Sequence, residues 1–129
     1  MVFENTEIGP GNYSIDYVRS TDDGNTWDGR ARLYTAPNNG NAGAPQIINV
    51  EGTLVTSFQS KALAQDGSDE MVIVTSVDNG TTWNTESPTI AATGNIYWPG
   101  LVNMDANSFL ALTGQGPMGG TSQWFQVAN

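Results

Sequence analysis

Ser20-Thr21-Asp22-Asp23-Gly24-Asn25-Thr26-Trp27 and Ser76-Val77-Asp78-Asn79-Gly80-Thr81-Thr82-Trp83 are two copies of one pattern, Ser-x-Asp-x-Gly-x-Thr-Trp, with five places identical in both. They recur at a spacing of roughly 55 residues, and a repeat of that length among short apolar runs marks four-stranded units arrayed around an axis, the blades of a β-propeller. The residue types are those a tight turn requires. Asp and Ser oxygens accept hydrogen bonds from the turn backbone, Gly takes a positive φ, and Trp covers the hairpin beneath. Ser20, Asp22, Gly24, Thr26 and Trp27, with Ser76, Asp78, Gly80, Thr82 and Trp83, are therefore read as structural staples rather than as acids or metal ligands. Trp27 and Trp83 are both expected to be largely buried, in equivalent roles.

Outward from these turns, β-rich runs separated by Gly, Asn, Pro and Ser fall into a regular order. Each box is taken as the connection between the third and fourth strands of a unit. The middle unit, 36–91, then has strands at 44–50, 53–59, 71–76 and 86–91. The unit before it, 1–35, offers strands at 1–4, 13–20 and 30–34 and lacks a first strand. The unit after it, 92–129, offers strands at 98–104, 108–112 and 123–128 and lacks a fourth. Pro45, Asn49 and Glu51 recur as Pro99, Asn103 and Asp105, which supports this register. Helix is confined to one turn at 61–65. The expected fold is all-β, a single partial propeller domain amounting to about half of a larger ring.

The chain has 129 residues and a net charge of −9, from 13 acidic against 4 basic side chains. Such a balance repels the phosphates of nucleic acid and anionic membrane surfaces, so neither is expected as a partner. No apolar run approaches the roughly 20 residues of a spanning helix. Without cysteine there is no disulfide or thiolate chemistry, and without histidine the commonest general base and metal ligand is missing. Proton transfer falls to carboxylates or tyrosine. No metal or cofactor is expected: the acidic stretch Asp66-Gly67-Ser68-Asp69-Glu70 lacks the spacing of a calcium-binding loop and reads as solvated.

In a propeller the box turns open on one face and the connections between second and third strands open on the other, where chemistry is expected. That second face receives Glu4, Gln59, Gln115, Tyr97 and Trp98. Aligning Val2-Phe3-Glu4-Asn5 with Ser57-Phe58-Gln59-Ser60 puts Glu4 at the mouth-side end of its strand, a carboxylate where the next unit carries neutral Gln59. At the rim of a funnel such a group serves as acid, base or nucleophile toward a glycosidic bond; otherwise it is a solvated strand-end glutamate. Tyr97 and Trp98 would hang an aromatic pair over the funnel for sugar rings to stack on, unless Trp98 packs between units. Glu4 is thus the catalytic candidate, and Tyr97, Trp98, Gln59 and Gln115 are the candidates for substrate binding.

The two boxes resemble the Asp-boxes of the sialidase superfamily. Together with Met1-Val2-Phe3-Glu4, Asn41-Ala42-Gly43-Ala44-Pro45-Gln46, Gly52-Thr53-Leu54-Val55 and Trp98-Pro99-Gly100-Leu101, they make the whole chain similar to the carboxy-terminal half of the exo-arabinanases of glycoside hydrolase family ninety-three. That resemblance implies a six-bladed, sialidase-like propeller and an extracellular retaining hydrolase acting on linear α-1,5-arabinan. It implies two glutamates, of which Glu4 is similar to the second, the first lying upstream. The implied partners are an arabinan-like oligosaccharide or polysaccharide and a missing propeller half or a second copy that completes the ring. Alone, the chain is then expected to show little or no activity and to associate through unpaired sheet edges. Two other readings stay open. A sialidase fragment shares the boxes, but needs an arginine cluster at the substrate, whereas Arg19, Arg30 and Arg32 flank a box at the outer rim. A non-catalytic glycan-binding or interaction piece is the third, since one glutamate cannot run a two-carboxylate mechanism.

Overall fold

A computed structural model describes residues 1–6, 13–37, 40–61, 69–116 and 119–127. Across them the chain is all-β, with three antiparallel sheets and no α-helix. The first sheet is β1 (Val2–Asn5), β2 (Ser14–Tyr17) and β3 (Ala31–Thr35), in that order. The second is β4 (Ala42–Val50), β5 (Thr53–Ser60), β6 (Glu70–Ser76) and β7 (Thr89–Thr93); the third is β8 (Ile96–Asn103), β9 (Ser108–Gln115) and β10 (Gly119–Gln126). The strand expected at 86–91 begins later, at Thr89. Asn84 diverts the chain by accepting from the Thr75 N–H at 2.6 Å and donating its own N–H to Thr75 O at 3.0 Å, and Pro88 has no N–H to offer a ladder. Most of the helical turn expected at 61–65 lies outside the described residues.

The second sheet is covered on both faces, and the two-residue period of its strands sorts its side chains between them. Phe58, Val72 and Val74 point toward the first sheet and pack with Ile15, Leu33 and Tyr34. Val55, Met71 and Ile73 point the other way, into a cluster with Leu101, Phe109 and Ala111 of the third sheet. This explains why β6 reads as a continuous apolar run rather than an alternating one. Aromatic contacts close both layers, Tyr34 on Phe58 at 4.6 Å and Phe109 on Phe125 at 5.2 Å. Side chains of the repeated strand also cross between sheets. The Leu101 N–H donates to Gln46 Oε1 at 2.9 Å, and Asn103 Nδ2 donates to Asn49 O at 2.9 Å.

The two boxes share one core of hydrogen bonds. In each, the Ser hydroxyl donates to an Asp oxygen at 2.8 Å (Ser20 to Asp22, Ser76 to Asp78) and accepts the Gly N–H at 2.8 Å. In each, the Thr N–H and hydroxyl donate to the two oxygens of the Asp, at 2.8 and 2.6 Å. Asp23-Gly24 and Asn79-Gly80 take positive φ at both places, a conformation that suits glycine and that Asp and Asn tolerate. These Ser and Thr donors hold Asp22 and Asp78 at about 2, below their ordinary 3.8, the Thr hydroxyl contributing most, then the Thr N–H, then Ser. A depressed carboxylate pKa contributes stability that is whole above the unfolded value and is lost as pH falls through the folded one. Acid unfolding followed by circular dichroism should therefore steepen between pH about 4 and about 2, and Asp22→Asn with Asp78→Asn should flatten that limb.

The two tryptophans do not share one role. Each ring lies over its own glycine, at 3.6 Å from a Cβ placed on Gly24 and 3.7 Å from one on Gly80. Trp83, though, is half-buried against the first sheet, edge-on to Tyr17 at 5.9 Å, whereas Trp27 is 50% exposed. The expectation that both are largely buried fails for Trp27. Trp83 is covered by the first sheet, which precedes its own, and among the described residues no sheet stands in that place for Trp27.

Candidate functional site

The ends of β4 and β8 are built alike. Pairing of β4 with β5 shifts between Gly43 and Gln46, and pairing of β8 with β9 shifts between Tyr97 and Gly100, so both strands carry a bulge. At the bulge Ala44 (φ 52) and Trp98 (φ 53) are left-handed, each just before a proline. Residues with a Cβ rarely enter that region, and such strain persists only where the surroundings impose it, often at functional sites. The bulges turn two different groups toward the space at the strand ends: a backbone N–H at Ala44 and an indole at Trp98, which is 80% exposed.

Glu4, Gln59 and Trp98 line one cleft of about 300 Å³, brought together from β1, β5 and β8 of three different sheets. Glu4 is exposed, and its Oε2 accepts the Ala44 N–H at 3.2 Å. Gly43 makes room for this. A Cβ there would stand 2.5 Å from Glu4 Oε2, so only glycine lets the carboxylate lie across the bulge. Gly43→Ala is accordingly expected to fold, because the obstructing atom is the tip of a flexible side chain, but to swing Glu4 off Ala44. The Ala44 amide resonance should lose its hydrogen-bonded downfield shift; an unchanged resonance would speak against the clamp.

Gln115 and Tyr97 are not in this cleft. Gln115 Nε2 donates to Thr93 O and Gly94 O, both at 3.3 Å, tying the end of β9 to the turn before β8. Tyr97 accepts the Thr113 hydroxyl on its carbonyl at 2.9 Å, and its ring lies against Gly116. Among the lining groups that the sequence did not nominate are Tyr13, Asn41 and two charged side chains, Lys61 and Asp69. The stretch read as a solvated acidic loop is thus divided: Asp66, Gly67 and Ser68 fall outside the described residues, Asp69 faces the cleft, and Glu70 is buried in β6. The only sequence signal for Asp69 is its place one residue before a strand.

The arginines work elsewhere. Arg32 and Arg30 both pair with Asp16, which is 1% exposed on β2 and also accepts Asn5 Nδ2 at 2.7 Å; Arg30 Nε lies 3.3 Å away. Arg19 Nη1 donates to the Thr81 hydroxyl at 2.8 Å, joining the first box to the second. A groove of about 230 Å³ lies between the two boxes, walled by Tyr17, Trp27, Leu54 and Trp83, and among its described lining residues there is no carboxylate. Among the described residues no group of three or more His, Cys, Asp or Glu could hold a metal ion. What the Glu4 cleft provides is a held carboxylate, an amide, a lysine, a second carboxylate and a bare indole face. That set can hydrogen-bond hydroxyls, stack a ring and transfer a proton. No protein-family model, curated protein or solved structure matches the chain.

Proposed function

We propose that the three sheets are successive blades of a sialidase-like propeller and that the Glu4 cleft binds a neutral, arabinan-like glycan for hydrolysis, with Glu4 as one of the two carboxylates of the reaction. The observation that carries this reading is the meeting of Glu4, Gln59 and Trp98 from three sheets at one mouth, with Glu4 clamped on Ala44. Glycoside hydrolysis asks for a positioned carboxylate beside a surface that holds a sugar ring, and an exposed indole is such a surface. The absence of any arginine from the lining argues for a neutral sugar over a sialic acid.

Successive stacking of blades also accounts for the outer face of the third sheet. Val102 and Leu110 pair there as Ile48 and Val55 pair on the second sheet, in the row that the third sheet covers. On the third sheet this row continues into Trp124, 64% exposed, an apolar surface of the kind that marks an interaction site. In this proposal it receives the next blade of a completed ring, from a missing half or a second copy.

Titration with linear α-1,5-arabino-oligosaccharides, followed by tryptophan fluorescence, tests the proposal. A saturable change is expected that disappears in Trp98→Ala, while the melting temperature stays close to that of the parent because Trp98 buries little surface. Either no saturable change, or one that Trp98→Ala leaves intact, would count against the cleft as a glycan site.

A further inference from the structure

The connection between β5 and β6 leaves and re-enters the second sheet at the mouth of the cleft, and its two stems carry opposite charges. Ser60 pairs with Glu70 at the end of the two strands, and Lys61 and Asp69 stand one residue beyond that pair. Ser60 and Glu70 are buried on the side of Tyr34. Lys61 and Asp69, just past the strand ends, both line the cleft with Glu4 and Trp98. Their backbones are tied down: the Lys61 N–H donates to Asn41 O at 2.9 Å, and Asp69 O accepts the Gly94 N–H at 3.1 Å. Their side chains are spare. Among the described residues no side-chain hydrogen bond or ion pair engages either, and Lys61 is the single lysine of the chain.

We propose that Lys61 and Asp69 form a subsite that reads two adjacent hydroxyls of a neutral sugar ring. The ammonium donates to one hydroxyl oxygen and the carboxylate accepts from the neighbouring hydroxyl, while the ring rests near Trp98. Hydrogen bonds with a charged partner are the strong kind, and a donor beside an acceptor suits a diol, whose hydroxyls can play both parts. The same arrangement selects against acidic sugars. A ligand carboxylate would meet one cation and two carboxylates, Glu4 and Asp69, and like charges brought together reject the wrong ligand. This inference rests on the cleft being a glycan site, and it names what part of the glycan is recognised.

The test compares linear α-1,5-arabinotriose with the same trisaccharide lacking both hydroxyls of the adjacent pair on its terminal ring. Affinities are measured by calorimetry for the full chain and for its Lys61→Met and Asp69→Asn variants. Each substitution is expected to weaken the intact sugar about tenfold or more, the worth of a hydrogen bond to a charged group. Neither should further weaken the deoxygenated sugar, whose contact is already gone. Equal weakening of both sugars, or none of either while Trp98→Ala still abolishes binding, overturns the diol subsite and leaves the glycan cleft standing. Failure of the parent chain to bind the intact sugar removes both readings together. Lys61 is exposed, so its variant keeps the comparison open should Asp69→Asn fold poorly.

Discussion

Glu4→Gln is expected to lower hydrolysis of linear α-1,5-arabinan by about 10²- to 10⁴-fold, the usual share of a positioned acid or base. Under the proposed function, the assay is made on a completed ring. The substitution keeps the shape of the side chain and an oxygen to accept from the Ala44 N–H, so folding and oligosaccharide affinity should be preserved. The chemistry alone is removed, because no histidine or cysteine exists to replace a carboxylate. If the retaining resemblance holds, the second catalytic carboxylate should lie about 5 to 5.5 Å from Glu4, against roughly 6.5 to 9.5 Å for an inverting enzyme. Arabinan turnover that survives the change intact would reduce Glu4 to a rim residue.

Trp83→Ala is expected to destabilise the chain by about 3 kcal/mol, whereas Trp27→Ala costs no more than about 1 kcal/mol. The two residues occupy the same place in the same turn, over glycines that take nearly the same φ, so local sequence would assign them one value. Their surroundings differ. Trp83 packs edge-on to Tyr17 and joins the cluster of Ile15, Phe58 and Val74 between two sheets, and its removal opens a cavity there. Trp27 keeps half its surface in solvent and donates its indole N–H to Gly24 O at 3.1 Å. Urea denaturation of the two variants measures the difference, and equal losses would show that the inter-sheet packing of Trp83 contributes nothing beyond the turn.

The turns were the most legible part of the chain. Every bond in a box joins residues within eight positions of one another, so the pattern Ser-x-Asp-x-Gly-x-Thr-Trp carries its own geometry wherever it stands. The hairpins around Glu51-Gly52 and the strands β5, β6 and β9 were legible for a related reason, since pairing of adjacent runs is set by turns and by the two-residue period. Less was legible where an interaction crosses between sheets. Asp16 reads as one polar residue in a short strand, and only the approach of Asn5, Arg30 and Arg32 shows why a carboxylate is tolerated with 1% of its surface exposed. The late start of β7 turned on the side chain of Asn84, which reaches back to Thr75.

The candidate site divides along the same line. Alignment of the repeats placed Glu4 and Gln59 at equivalent strand ends, and the Ala44-Pro45 and Trp98-Pro99 pairs at equivalent first-strand starts, all from residues a few positions apart. That much the sequence determined by itself: an all-β chain of repeated units, the conformation of its box turns, and a carboxylate at a strand end. The tertiary structure alone decided that Glu4 lies on the Ala44 N–H across from Gly43, that Trp98 joins it while Tyr97 and Gln115 do not, and that Lys61 and Asp69 face the same space. The physical reason is range. Turn chemistry and strand period act over a few bonds of chain, whereas the cleft is assembled from strand ends far apart in sequence, whose meeting is set by the burial of Phe58, Val72, Val55 and Ile73 between sheets.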